Sequence, residues 1–312
     1  MSESTVSVVI PSVGRPALRA AIQSALGQTV PPLEVLVCLD TADDISDVLG
    51  DLADDPRVRL LRVGPGHGGN AARQAGIQNA AGRLIALLDD DDLWESRKLE
   101  LQLSAIAGLA GDDWLATSRL VARTPTGDQV WPARLIAARE SVPDYIFHKR
   151  KVRGGIGFVQ ASTLLFPAAL GRRVPWNSEI KFHQDIDWLV SLDEVLPNLT
   201  VVQLPEALTI YHVGQPTVSR TLDPELSWAW ALRRLSGSPR SLGDFGMTSV
   251  TTYAARRANP LGVLRYAARA RRVGAPSLAA TAFAGYQFAM AVRLWTTLRL
   301  RRLIANRRRG KH

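Results

Sequence analysis

The chain has 312 residues, 46% of them hydrophobic, and one cysteine, Cys38, so about two domains of ordinary size can form while a disulfide framework or a cysteine-built zinc site is excluded. The net charge of +9 is unevenly spread: residues 220–312 hold 18 Lys/Arg against Asp223, Glu225 and Asp244, a net +15, whereas residues 1–219 hold 20 against 26 acids, a net −6. This predicts a globular body in a reducing, cytoplasmic setting, and a basic tail suited to an anionic partner such as phospholipid, nucleic acid or an acidic protein.

The opening stretch MSESTVSVVIPSVGRP has no basic run, and its apolar residues are too few for a signal-peptide core or a membrane span. Folding is expected to start with the strand TVSVVI, apolar on both faces as in a parallel sheet. In ALRAAIQSALGQ, residues Leu18, Ala21, Ile22, Ala25 and Leu26 recur at helical spacing, and TVPP ends the helix before the strand LEVLVCLD. A helix around DISDVLGDLA, a strand RVRLLRV, a loop GPGHGGN, a helix AARQAGIQNA and a strand RLIALL follow. Such alternation predicts an open α/β sheet whose ligands bind beyond the carboxyl ends of its strands, where Asp40 and Asp89 to Asp92 fall.

SRKLELQLSAIAGL reads as an amphipathic helix, DWLATSRLVAR and ASTLLFP as short strands in an irregular stretch, and residues 185–195 as a helix. The stretch from residue 199, LTVVQLPEALTIYH, reads as a strand pair or a strand and loop. Beyond residue 224 the pattern is helical: PELSWAWALRRLSG, GVLRYAARARRVG and SLAATAFAGYQFAMAVRLWTTLRLRRLIANRRRG. The last holds an apolar run of about 15 residues interrupted at Arg293, short of the ~20 needed to cross a bilayer; an interfacial or partner-packed helix is expected.

Four successive aspartates in LLDDDDLW repel one another, and a hard divalent cation, which takes carboxylates together with substrate phosphates, would offset that repulsion. Asp89-x-Asp91 can supply one metal ligand and one contact to a nucleotide sugar. Alternatively Asp92 or a neighbour caps a helix starting near Leu93, with the others solvated at its positive end. GGNAAR opens a helix, so Arg73 can reach a phosphate or pair with the aspartates; its glycines could instead serve the turn alone.

Three stretches, VSVVIPSVGRPALRAAIQSALGQTVPPLEVLVCLD, GGNAARQAGIQNAAGRLIALLDDDDLW and FHQDIDWLVSL, stand in an order that resembles a family 2 glycosyltransferase of GT-A fold, over residues 5 to about 220. The resemblance implies a Rossmann-like nucleotide-binding sheet with helices on both faces over residues 1–220. Its halves would be 1–110 for the nucleotide sugar and 111–220 for the acceptor, followed by a basic, mostly α-helical region, 221–312. It also implies donor contacts from Pro11, Ser12, Asp40, Asn70, Arg73, Asp89 and Asp90, with Asp40 accepting from the base and Asp89 on the ribose. Asp91 would hold Mn²⁺ or Mg²⁺, His212 would complete the metal shell or touch the diphosphate, and Asp90 and Asp92 would serve as support or helix cap.

Asp185 holds the catalytic-base position of HQDIDW, with Gln184 where the family usually carries glutamate and Asp187 as the fallback base. Leu39 stands where a second polar residue is usual before Asp40, and Ser12-Val13-Gly14 offers no aromatic for the base to stack on. RVRGGIGFVQAST resembles the acceptor-side segment. The implied activity is inverting, metal-dependent sugar transfer from a nucleoside diphosphate donor to a glycan, lipid-linked or small-molecule acceptor, in cell-surface polysaccharide, glycolipid or glycosylated-metabolite synthesis.

Rival readings stand beside it: an inactive family member kept as a binding subunit, or a nucleotidyltransferase, for which PSVGRP is poor in glycine and basic residues. A nucleic-acid-binding protein is disfavoured by the acidic body and by a tail without interleaved aromatics. The tail is expected to make peripheral contact with the inner face of the cell membrane, or to join copies of the chain in a homo-oligomer.

Overall fold

The structure, a computed structural model, describes residues 5–124, 126–138, 140–213 and 223–309, with side chains as far as residue 301. It divides into two compact units, Met1–Val142 with Phe158–Val218, and Pro143–Gly157 with Ser219–His312.

The first unit opens as expected: β1 (Val6–Ser12), α1 (Leu18–Leu26), β2 (Glu34–Leu39), a short α2 (Ser46–Leu49) running into a 3₁₀ turn, β3 (Val58–Arg62), α3 (Gly69–Asn79) and β4 (Leu84–Leu87). It continues with β5 (Leu93–Trp94), α4 (Lys98–Ile106), β6 (Trp114–Thr124) and β7 (Gly127–Trp131). After α5 (Val142–Phe147), at the boundary, come a 3₁₀ turn Ala161–Thr163, β8 (Leu165–Pro167), α6 (Ala168–Arg173), α7 (Gln184–Val195) and β9 (Thr200–His212).

Among the described residues these strands form one nine-stranded sheet in the order β3-β2-β1-β4-β8-β6-β9-β5, with β7 on β6. β1 to β4 are mutually parallel, because a helical segment returns the chain between each of them and the next. β8 runs antiparallel to β4 and β6, and β5 antiparallel to β9, so the sheet is mixed.

The core is laid down by the alternation read in the sequence: Val8, Ile10, Val37 and Leu39 pack against Leu18, Ala21 and Ile22 of α1. On α3 a Cβ at Gly76 would lie 2.4 Å from Val9 Cγ1 and 2.7 Å from Cys38 Sγ, so only glycine lets that helix approach the strands.

Two expectations are corrected. No helix starts near Leu93: Leu93 and Trp94 pair with Ile210 and Thr209 of β9, and the helix waits until Lys98. Trp94 is 5% exposed, and burying that indole against β9 outweighs an early helical turn. The stretch from residue 199 is one strand along β6, with its register shifted between Ser118 and Arg119, opposite Leu204 and Ala207. Pro205, which has no N–H to give a ladder, falls in that irregularity.

The second unit contains α5, then α8 (Pro224–Arg234), α9 (Pro239–Phe245), a π-helical turn Gly246–Val250, α10 (Thr251–Arg256), α11 (Pro260–Val273) and α12 (Leu278–Arg309). Asp244, fully buried, accepts from Lys149 N at 2.8 Å, Ser277 N at 2.6 Å and Arg240 Nε at 2.9 Å. One carboxylate therefore ties the 143–157 segment, α9 and the approach to α12 together, and its charge is compensated by charge-assisted bonds. No described helix is long and apolar enough to cross a membrane.

Candidate active site at the acidic turn

Beyond β4 the chain turns, Asp92 N donating to Asp89 O at 3.1 Å, and each of the four carboxylates meets different company. Asp89 accepts from Arg73 Nη2 at 2.6 Å and Gln160 Nε2 at 3.1 Å. Asp90, 4% exposed, accepts from Ser12 Oγ at 2.6 Å and Arg15 Nη1 at 3.1 Å. Asp91 meets the same Arg15 Nη1 at 3.3 Å. Asp92, 1% exposed, accepts from Gln160 Nε2 at 2.8 Å and Ser162 Oγ at 2.7 Å, while its Oδ1 has no hydrogen-bond partner among the described residues.

Asp92 is therefore no helix cap but a buried brace holding the turn to the 160–163 segment. Burial raises the pKa of Asp90 and Asp91 and drives that of Asp92 well above the carboxylate range, with Asp89 adding to the rise in Asp91 and Asp92. Asp90, Asp91 and Asp92 thus resist ionising at this sheet end, and added positive charge relieves that resistance.

Arg73 is the hub of the site. Its side chain is 7% exposed; Nη1 donates to Gln184 Oε1 at 2.8 Å and Asn70 Oδ1 at 3.3 Å, Nη2 binds Asp89, and the guanidinium lies 5.1 Å from the centre of the Trp176 ring. Asn70 is committed on its other side to Asn177 O at 2.8 Å. The guanidinium thus joins the acidic turn to the first residues of α7, remote in sequence.

α7 is launched by His183 in the left-handed region, φ 58°, a conformation His visits more readily than most non-glycine residues. Asp185, in its first turn, accepts from Ala161 N at 3.1 Å. Burial raises its pKa to about 6, with Arg73 pulling it down and Asp89 pushing it up. Asp187 is 3% exposed within the helix's packed face, which disfavours it as the fallback base.

The other expected positions sort as follows. Asp40 receives His67 N at 2.8 Å and Gly68 N at 2.6 Å, so its carboxylate shapes the loop before α3. A Cβ at Gly64 would lie 1.8 Å from Asp40 Oδ1, which reserves that position for glycine. Pro11 is buried in β1, opposite Cys38. His212 Nδ1 lies 2.9 Å from Asp91 O; a carbonyl only accepts, so Nδ1 carries the proton and a neutral ring leaves Nε2 its lone pair.

Sequence reading missed Arg15, Gln160 and Ser162, and the aromatic row Trp131–Phe158–Tyr211, with ring centroids 5.7 and 6.5 Å apart. Burial, then the charge of Asp92, pushes the Tyr211 phenol up to about 12.

Among the described residues no three His, Cys, Asp or Glu groups form a ready-made metal cage. The donor set at the lip nevertheless fits a hard divalent ion. The Asp91 carboxylate is 21% exposed and shared with a cationic stand-in, the Arg15 guanidinium, and Mg²⁺ commonly uses one or two carboxylates plus substrate phosphates.

A half-parallel sheet that gathers a first turn, an acidic turn and an acidic helix start at one end has the architecture of a GT-A enzyme. The sequence pattern described as "Glycosyl transferase family 2" matches residues 7–167, and the chain belongs to that family of glycosyltransferases. Similar proteins include the succinoglycan biosynthesis protein ExoO of Rhizobium meliloti, 46% identical over 210 residues, which cover 65% of this chain and 58% of that protein. The UDP-Glc:alpha-D-GlcNAc-diphosphoundecaprenol beta-1,3-glucosyltransferase WfgD of Escherichia coli is 37% identical over 105 residues, 33% of this chain and 42% of that one. The chain spans less than two thirds of the length of these relatives. In fold it resembles S. aureus TarS 1-349, solved in complex with UDP-GlcNAc, with a TM-score of 0.56 at 13% identity, covering 93% of this chain and 89% of that one.

Proposed function

We propose that this chain transfers a sugar, with inversion, from a nucleoside diphosphate donor to an acceptor hydroxyl in the building of a cell-surface polysaccharide or glycolipid. The observation that carries the reading is the Arg73 bridge, which brings the aspartates of the turn and the start of α7 into one polar cluster. The names of the relatives, a succinoglycan biosynthesis protein and a UDP-glucose transferase acting on a diphospholipid-linked sugar, support the substrate class.

In this reading Ser12, Asp40 and Asp89 hold the nucleoside, Asp90 braces the first turn against the acidic one, and Asn70 braces Arg73. Asp91, with His212 beside it, holds Mg²⁺ or Mn²⁺, whose charge would offset that of the departing diphosphate. Asp185 takes the acceptor hydroxyl proton as the oxygen bonds to the anomeric carbon; the bond from that carbon to phosphate breaks, and its electron pair leaves with the nucleoside diphosphate. The row Trp131–Phe158–Tyr211 offers an aromatic face to the acceptor. Thermal shift across a panel of nucleotide sugars, with Mn²⁺ or EDTA, should give one donor that stabilises the protein only with metal and only when Asp91 is intact. Equal stabilisation of Asp91→Asn would sink the metal assignment.

The location proposed is the inner membrane face, through α12. Its buried face runs Ala280, Ala284, Ala291, and the same stripe continues as Leu294, Trp295 and Leu298, which are 38%, 43% and 48% exposed. Arg299 lies 5.0 Å over the Trp295 ring. Large apolar side chains flanked by arginine suit an anionic bilayer surface, and the +15 charge of residues 220–312 disfavours pairing with a second copy. The double variant Trp295→Ser/Leu298→Ser should lose at least about tenfold in partition to phosphatidylglycerol vesicles, since each side chain removed contributes on the order of 1.5–3 kcal/mol when buried. Unchanged cosedimentation would sink the idea.

A further inference from the structure

Two guanidiniums touch the acidic turn, and they are held in opposite ways. Arg73 is buried, fixed by Asn70, Gln184, Asp89 and the Trp176 ring, and leaving would break all four contacts. Arg15 stands on the open turn between β1 and α1 with its side chain 49% exposed, and its guanidinium is engaged by Asp90 and Asp91 at 3.1 and 3.3 Å. One cation is built in; the other is tethered but free to leave.

Resting on the metal assignment above, we infer that Arg15 is a displaceable counter-ion. It occupies the Asp91 carboxylate in the donor-free protein and yields that carboxylate when a divalent cation arrives.

Three physical points support this. Arg15 Nη1 faces Asp90 Oδ1 at 3.1 Å and Asp91 Oδ2 at 3.3 Å, so a cation already stands at the carboxylate that the metal would take. The Arg15–Asp91 contact is a single one at 3.3 Å from a side chain that is 49% exposed, so a doubly charged ion in direct contact with the same oxygen displaces it readily. Asp90 also accepts from Ser12 Oγ at 2.6 Å, a contact that does not involve Arg15 and leaves the turn anchored without it.

The exchange has a measurable signature. A carboxylate free of Arg15 for only a fraction of the time binds metal more weakly by that fraction, so the native arginine holds down metal affinity before donor is present. It also keeps the turn neutralised while empty.

The test is Mn²⁺ titration without nucleotide, read by electron paramagnetic resonance, for the wild-type chain, Arg15→Ala, Arg19→Ala and Asp91→Asn. Arg19 is the control, an arginine one helical turn on that pairs instead with Asp51. Arg15→Ala is expected to bind Mn²⁺ about three- to tenfold more tightly than wild type, Arg19→Ala to match wild type, and Asp91→Asn to lose the ion. As a second readout, Mn²⁺ should raise the melting temperature of Arg15→Ala more than that of wild type. Binding by Arg15→Ala that is equal to or weaker than wild type, or absent in both, overturns the inference. If in addition Asp91→Asn binds like wild type, the metal assignment falls with it; if Asp91→Asn alone loses the ion, that assignment stands.

Discussion

Asp185→Asn is expected to lower sugar transfer by two to four orders of magnitude, the range general-base catalysis supplies, while nucleotide binding stays within about twofold. The loss should appear in kcat, because the carboxylate acts on the acceptor proton rather than on the donor. The same substitution should stabilise the fold at pH 8. An aspartate's ordinary pKa is about 3.9, and burial raises that of Asp185 to about 6, so ionising it is harder in the folded chain than in the unfolded one. Between those two values the folded state holds the extra proton and stability falls as pH rises; above about 6 the cost is complete.

Asparagine titrates nothing, so the variant's gain in melting temperature should be absent near pH 4, grow toward pH 6 and stay constant above. In wild type, kcat/KM should fall on the acid side with an apparent pKa near 6. Transfer retained by Asp185→Asn, or a variant no more stable than wild type at pH 8, would remove Asp185 from the base role. Loss of transfer would also separate an enzyme from an inactive binding subunit, since the latter has no turnover to lose.

Arg73→Ala should be the most destabilising single change in the first unit. It removes one partner of a buried ion pair and leaves the Asp89 charge to Gln160 alone, a kind of deletion that costs about 3–5 kcal/mol. Arg73 also holds down the pKa of Asp185, so whatever activity survives should show its acid limb shifted to higher pH. Arg73→Lys keeps the charge but loses the fork that reaches Gln184 and Asp89 together, and should restore the pH limb more fully than the stability. A chemical melt and a pH profile of the three proteins check both. Indistinguishable profiles would mean that Arg73 braces the fold without tuning the base.

The parallel half of the sheet was legible because each of its signals is local: apolar runs of strand length, helices at helical spacing, and turn residues between them. Asp89 to Asp92 and Asp185 could be picked out for the same reason, as acids at a strand end and a helix start. Arg15 stayed hidden because an arginine in a Gly-Arg-Pro turn reads as solvent-facing until the turn is folded against the acids. Gln160 lies in a segment without periodicity, and its double contact with Asp89 and Asp92 depends on β8 returning antiparallel beside β4. The second unit hid α9 and the π turn in SPRSLGDFGMTSV, where glycine and serine weaken every propensity signal. The attachment of residues 143–157 to that unit runs through contacts far apart in sequence, the buried Asp244 with Lys149 N and Phe147 with Trp230 and Phe245 among them, which no local pattern announces.

The turn Asp89–Asp92 also joins two strands that are far apart in the sheet order. β4 and β5 are separated there by β8, β6 and β9, which in a flat sheet at ~4.8 Å per strand would put them roughly 19 Å apart. A hydrogen-bonded turn spans less than about 7 Å, so the far edge has to curl back until β5 reaches both β9 and α1, where Trp94 N donates to Ser24 Oγ at 3.2 Å. The four aspartates therefore act as a buckle. Adding or deleting one residue there would slip β5 on β9 and throw Trp94 to the opposite face, so the chemistry of this loop can diversify by substitution but not by change of length.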